Sequence, residues 1–282
     1  MTNGSEAVGL VLARPVQLLG TEQFFMEFIA GVEETLAERQ LSILLHVVPA
    51  DEAELEAYRR WADRKVVDAV VLVNLVQDDV RPGFLLGLDL PFLVVGEWDD
   101  PSLPRVRSDN WAAERAALAH LVGLGHRRLA RVSGPTRLLH TQARTVALLE
   151  DCRAVGIEPI LVEGDYTERS GAELTRELLA LADRPTAILY DNDVMAVAGL
   201  HAAQDLGVVV PDQLSLIAWD DSTLCRLASP AMTTMVMDVH EYGVRVGKSA
   251  LEVIDGVPVV ERWSPTSILV QRGTTARART AG

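Results

Sequence analysis

Two strand ends in the second half of this sequence place carboxylate and amide groups where they could grip a molecule rich in hydroxyls. Thr186 to Tyr190 is a short apolar run that stops at Asp191-Asn192-Asp193, and Leu214 to Ala218 is another that stops at Trp219-Asp220-Asp221. A carboxylate at a strand's carboxyl end accepts two hydroxyl hydrogen bonds, which suits Asp220 to a polyol, and Asn192 offers donor and acceptor atoms together. Asp193 and Asp221 read instead as caps of the helices that follow. Arg144, about ten residues beyond Gly134-Pro135, brings five fixed donors suited to paired hydroxyls, a carboxylate or a phosphate; the other reading is an ordinary surface arginine. Trp219 and Tyr166 carry flat apolar rings that can cover the carbon face of a sugar or sandwich a purine, or simply fill a core.

Chemistry of other kinds finds less support. The sequence has no Gly-x-Ser-x-Gly elbow, no phosphate-cradling Gly-x-x-x-x-Gly-Lys loop and no His-Glu-x-x-His pair. Gly123-Leu124-Gly125 lacks a third glycine and closes a helix instead of following a strand, so a dinucleotide site is rejected. The histidines at 46, 120, 126, 140, 201 and 240 show no clustered ligand spacing. Asp191/Asp193 and Asp220/Asp221 are better read as one pocket residue and one cap each than as cation ligands. A binding protein without metal or cofactor is the expectation, not an enzyme.

The elements that must position these residues alternate regularly. Strands are predicted at Ala7 to Ala13, Leu41 to Val47, Val66 to Val73, Pro91 to Gly96 and around Val106. They are interleaved with helices from about Thr21 to Arg39, from Asp51 to Arg64 and near Phe84. In the first helix Phe25, Ile29, Val32 and Leu36 share a face, and Phe24 falls off it. Asn110 opens a helix to Gly123 with Leu118, Leu121 and Val122 inward. A second series follows: strands at Arg128 to Ser133, Glu158 to Val162, Thr186 to Tyr190, Leu214 to Ala218 and Thr266 to Gln271. Its helices run from about Thr141 to Val155, from Glu168 to Ala182, from Val194 to Leu206 and from Asp238 to Ile254. Such alternation implies right-handed βαβ crossovers and parallel sheets, and 282 residues suffice for two lobes with separate cores.

Composition narrows the class. Lys and Arg total 26 against 40 Asp and Glu, a net charge of -14 that repels a polyanion and makes this chain alone a poor partner for DNA. Cys152 and Cys225 lack CxxC spacing and read as reduced thiols. No apolar run is long enough to span a membrane, and the first residues show no export signal, so a cytoplasmic location is expected.

An ordered set of short segments resembles the effector-binding core of LacI/GalR-type transcription regulators, which is built like a periplasmic sugar-binding protein. The segments are Ser108-Asp109-Asn110, Leu121 to Arg127, Ser133-Gly134-Pro135, Gly164-Asp165-Tyr166, Pro185-Thr186-Ala187, Asn192 to Ala196, Trp219-Asp220-Asp221, Pro230 to Thr234 and Arg272-Gly273-Thr274-Thr275. The resemblance implies two doubly wound α/β lobes of the type I periplasmic-binding-protein kind, joined by three crossovers near residues 124, 237 and 265. It gives lobes of 1–124 with 238–264 and of 125–237 with 265–282. A sugar-like effector would bind between the lobes, touching Phe24, His140, Arg144, Tyr166, Asn192, Trp219, Asp220, Met237 and Tyr242. Phe24 is equally readable as a lobe-packing aromatic. Ala147 departs from the Arg-x-x-Gly pattern, and Met237 and Ala112 stand where relatives often have polar groups, which weakens the case for a conventional hexose; Tyr242 restores some polarity. The chain would form a homodimer, and operator DNA would be read by a helix-turn-helix head that this sequence does not include. The competing expectation is the solute-binding protein of a sugar transporter.

Overall fold

The computed structural model describes residues 6–13, 23–49, 51–98 and 100–279. These divide into two compact units: one holds the chain up to Asp109 together with Asp238–Pro265, the other Asn110–Met237 and the chain from Thr266 onward.

In the first unit, β1 (Ala7–Ala13), β2 (Ser42–Val48), β3 (Ala69–Leu72), β4 (Phe92–Val95), β5 (Arg105–Arg107) and β11 (Arg262–Trp263) form a sheet in the order β11-β5-β4-β3-β1-β2. Every pairing in it is parallel. The helices are α1 (Gln23–Ala37), α2 (Asp51–Arg64), α3 (Arg81–Gly87) and, from the returning chain, α9 (Val239–Ile254). Helix α1 buries Phe25, Phe28, Val32 and Leu36, so Phe28 takes the place expected of Ile29, which stays half-exposed. The expected start of α1 at Thr21 and Glu22 lies outside the described residues. Close approach of α1 to α9 depends on glycine: a side chain at Gly31 would overlap the His240 carbonyl, and one at Gly243 the Phe28 carbonyl.

In the second unit, β6 (Leu129–Ser133), β7 (Ile160–Glu163), β8 (Ala187–Tyr190), β9 (Ser215–Trp219), β10 (Thr233–Val236) and β12 (Ile268–Val270) are ordered β12-β10-β9-β8-β6-β7. Only β12, on the edge, runs antiparallel among these described pairings. The helices are α4 (Asn110–Gly123), α5 (Leu139–Ala154), α6 (Glu168–Ala180), α7 (Asp193–Asp205) and the short α8 (Thr223–Leu227). The strands bury on both faces, as parallel strands sandwiched by helices do: Ile188 and Leu216 pack with Leu200 on one side, Leu189 and Ile217 with Leu121 and Leu148 on the other. Burying each such side chain contributes roughly 1.5–3 kcal/mol.

The first division between units falls at Asp109/Asn110, not near residue 124. Helix α4 accounts for the difference: Ala113, Ala117, Leu118 and Leu121 pack into the second unit's core beside Leu148 and Met235. The other two divisions fall at Met237/Asp238 and Pro265/Thr266. Strands β10 and β11 have no counterpart among the expected elements.

Candidate functional site

In the second sheet β6 lies between β7 and β8, so the connections leaving β6 and β7 run in opposite senses across it. The crevice outside such a reversal is where open α/β sheets take ligands. The segments leaving the carboxyl ends of β6, β7, β8, β9 and β10 supply His140 and Arg144, Tyr166, Asn192, Trp219 and Asp220, and Met237 respectively. The sequence-predicted residues of this unit therefore share one edge.

Their side chains form a connected network. Arg144 Nε donates to Asn110 Oδ1 at 2.9 Å, and Nη1 to the Asp191 carbonyl at 3.4 Å. Its guanidinium carbon lies 3.5 Å from the centre of the Trp219 ring, a cation–π stack. Trp219 is 6% exposed and packs among Leu121, Leu148 and Met235, so it is a core aromatic whose face supports Arg144. Tyr166, half-buried, takes a left-handed backbone at φ 69°, and its hydroxyl lies 2.9 Å from His140 Nε2. Its ring rests on Gly134, where any Cβ would overlap it. Burial, with the charge of Asp191 adding to it, pushes the Tyr166 phenol up to about 12, so it stays a neutral donor and acceptor. Asp220, at φ 68°, is also left-handed, a conformation aspartate takes more readily than most residues because its short carboxylate can bond locally. Met237 is half-buried at the same edge.

The helix caps differ from those expected of Asp193 and Asp221. Asn192 caps α7: its Oδ1 accepts from Met195 N at 2.9 Å while Nδ2 donates to the Tyr166 carbonyl at 3.1 Å. It therefore shapes the edge by holding Tyr166, and the cap expected of Asp193 is Asn192's because Asn192 is the last extended residue before the helix. Asp193 is buried on the first turn, accepts from Val194 N, and has its carboxyl raised by burial. Asp221 does not cap α8, whose N-cap is Ser222; it is held by Arg272 at 2.6 and 2.9 Å and accepts from Thr234.

Beneath this layer lie Asp191, which the sequence offers as a pocket residue, and two residues that the sequence reading does not single out, Arg131 and Glu114. Arg131, wholly buried on β6, forms a two-pronged ion pair with Asp191, 2.7 Å on each prong. It also donates to Thr145 Oγ1 at 2.8 Å, while Asp191 accepts from Gly134 N at 3.0 Å. Burial alone would raise the Asp191 carboxyl; the charges of Arg131 and Arg144 override it and hold Asp191 below the ordinary carboxylate range. Glu114 on α4 is fully buried, and neither of its oxygens has a hydrogen-bond partner. Burial pushes its carboxyl up to about 7, with Asp191 adding to the rise and Arg131, Arg144 and the nearby Trp219 N–H opposing it. The signals were legible: an arginine inside Leu129-Ala130-Arg131-Val132 needs a buried anion, and Glu114 falls on the Ala113/Ala117/Leu118/Leu121 stripe.

The remaining candidates, Phe24 and Tyr242, belong to the first unit. Phe24 stacks on Phe28 at 6.3 Å, and Phe28 meets Tyr242 edge-on at 5.7 Å. Tyr242 is buried, and its hydroxyl lies 2.9 Å from Ser108 Oγ. Among the described residues no group of three or more His, Cys, Asp or Glu could hold a metal ion, and no helix is long and apolar enough to cross a membrane.

Residues 118–275 match the periplasmic binding protein-like domain family. A LacI family transcriptional regulator from Bifidobacterium animalis subsp. lactis DSM 10140 is 35% identical; the match covers 98% of this chain and 99% of that one, with a TM-score of 0.89. The transcriptional regulator CelR of Thermobifida fusca is 28% identical over 91% of this chain and 77% of its own length. A structure described as a CelR–cellobiose complex matches with a TM-score of 0.87 at 27% identity, over 95% of this chain and 84% of that one. These relatives are regulators, which favours regulation over solute transport. With a family match over more than half its length and a 35% identical relative aligned almost end to end, the chain belongs to the LacI family of transcriptional regulators.

Proposed function

We propose that this chain is the effector-sensing core of its regulator, and that it takes a small, polyhydroxylated and uncharged molecule at the carboxyl edge of the second sheet. Arg144 carries the reading. It is pinned by Asn110, the Asp191 carbonyl and the Trp219 face, so its fork is preorganised and little side-chain freedom is lost on binding. Asp220 supplies acceptors, Tyr166 a neutral hydroxyl, and His140 an imidazole beside it. An edge with one such fork beside several carboxylates suits hydroxyls, which both donate and accept, better than an anion. The sugar named with CelR agrees with this chemistry. Captured ligand shifts the regulator only through its differential affinity for two conformations, and the DNA-reading head and a second subunit are partners of this core.

The test is a thermal-shift series over cellobiose, ribose, sugar phosphates and nucleosides. A ligand present at 100 times its Kd adds about 2.7 kcal/mol to the native state. The expected result is stabilisation by a neutral sugar that is lost in both Arg144→Ala and Asp220→Ala. Undiminished stabilisation in both variants moves the site elsewhere, and a response to anions alone overturns the proposed ligand class.

A further inference from the structure

Glu114 and Trp219 leave complementary groups unmatched. The carboxyl and the indole Nε1–H are both buried, and the indole lies near enough to favour the ionised carboxyl, yet no hydrogen bond of ordinary geometry closes on either group. A dry site normally pairs such groups, because each unmatched one forfeits its hydration without compensation. The titratable and charged groups around Glu114 are Arg131 from β6, Asp191 from the end of β8, and Arg144 and Cys152 from α5, with the Trp219 indole from β9 beside them. Neither arginine is available to it. Arg131 is committed to Asp191 and Thr145, and Arg144 to Asn110, the Asp191 carbonyl and the Trp219 ring.

We propose that Glu114 is a proton-sensitive positioning residue: loss of its proton draws in the Trp219 indole N–H, gain of the proton releases it, and the ring that supports Arg144 moves accordingly. An ionised carboxylate is an acceptor only and attracts the N–H strongly, whereas the acid form spends one oxygen as a donor and accepts weakly. Because the guanidinium lies 3.5 Å from the ring centre, a rotation of the indole re-aims Arg144. Burial places the change near neutrality, at about 7. The consequence for ligand rests on Arg144 being a ligand contact; the coupling of Glu114 to Trp219 does not.

Tryptophan emission of the full chain reads that coupling without any ligand. It is followed between about pH 5.5 and 8.5, the window of a group titrating near 7. The parent is expected to show a transition centred near neutrality. The transition should vanish in Trp219→Phe and in Glu114→Gln and persist in His140→Gln, which removes the imidazole of the same edge. Glu114→Leu repeats the test should the glutamine variant fold poorly, with circular dichroism confirming the fold of each. In Arg144→Ala the midpoint should move to higher pH, since that cation favours the carboxylate. No transition in the parent, or one that survives in a folded Glu114 variant, overturns the proposal. An intact transition combined with unchanged ligand stabilisation in Arg144→Ala sinks only the assignment of the binding edge.

Discussion

Each unit buries one arginine against carboxylates, and the two arrangements differ in what is left over. In the first unit Arg81 binds Asp79 through Nε and Nη2 and Glu54 through Nη1 at 2.8 Å, and donates to the carbonyls of Val73 and Asn74 at the end of β3. Tyr58 completes the group by donating to Glu54. In the second unit Arg131 spends itself on Asp191 and the threonines of α5, and Glu114 is left with charge neighbours but no bond. The first network ties α2, α3 and a strand end into a closed structural knot. The second supports the layer that holds Arg144 and Tyr166, and its unbonded member is the one whose proton is loose near neutral pH.

The most damaging way to break this comparison is to remove the cations. Arg131→Met leaves Asp191 buried without its ion-pair cation, and Arg81→Met does the same to Glu54 and Asp79; each should cost about 3–5 kcal/mol in urea unfolding. The double change Arg131→Met with Asp191→Leu should recover most of that loss, because apolar groups of similar volume need no compensation. A single variant with parental stability would show that the pair is not dry.

A smaller effect sharpens the contrast. Glu114 is raised from the ordinary 4.5 to about 7, so between those values the folded protein holds a proton that the unfolded chain has released. The contribution of Glu114 should therefore be full below pH 4.5 and fall as pH rises to about 7. The displacement corresponds to roughly 3 kcal/mol at 1.4 kcal/mol per tenfold. Glu114→Gln should remove that slope and stand above the parent at pH 8. Asp79 and Asp191 have the opposite sense: the guanidiniums outweigh burial and hold them low, so their contribution is lost only as the solution becomes acid. Parallel pH profiles for parent and Glu114→Gln would contradict this account.

The sequence made the two-unit α/β plan and the shared edge legible because strand ends are local signals: apolar runs that stop on polar residues. Asp220 reads by that logic, whereas Arg144, inside α5, reads only from its place beyond Gly134-Pro135 and from the family resemblance. What escaped depends on distant packing. Helix α4 reads as the close of the first lobe by position, yet its buried stripe meets Leu148 and Met235. Asn192 and Asp193 are equally good caps by residue type, and only the backbone, extended at Asn192, decides between them. Tyr166 was legible as an aromatic but not its left-handed backbone, which the Asn192 amide helps to hold.

The smallest effect probes whether the first unit's network is as self-sufficient as its geometry implies. Tyr58 is fully buried, and burial first, then Glu54, raises its hydroxyl well above the usual phenol range, so it remains a donor across the working pH range. Tyr58→Phe removes that one donor. Glu54 keeps Arg81 at 2.8 Å, and the ring keeps its edge-on contact with Trp61 at 6.1 Å. A hydrogen bond lost while its acceptor stays ion-paired should cost about 1 kcal/mol, with no dependence on pH. A loss comparable to that of Arg81→Met would mean that Glu54 depends on the phenol as much as on the guanidinium. The first network would then rest on a neutral contact as much as on its ion pairs.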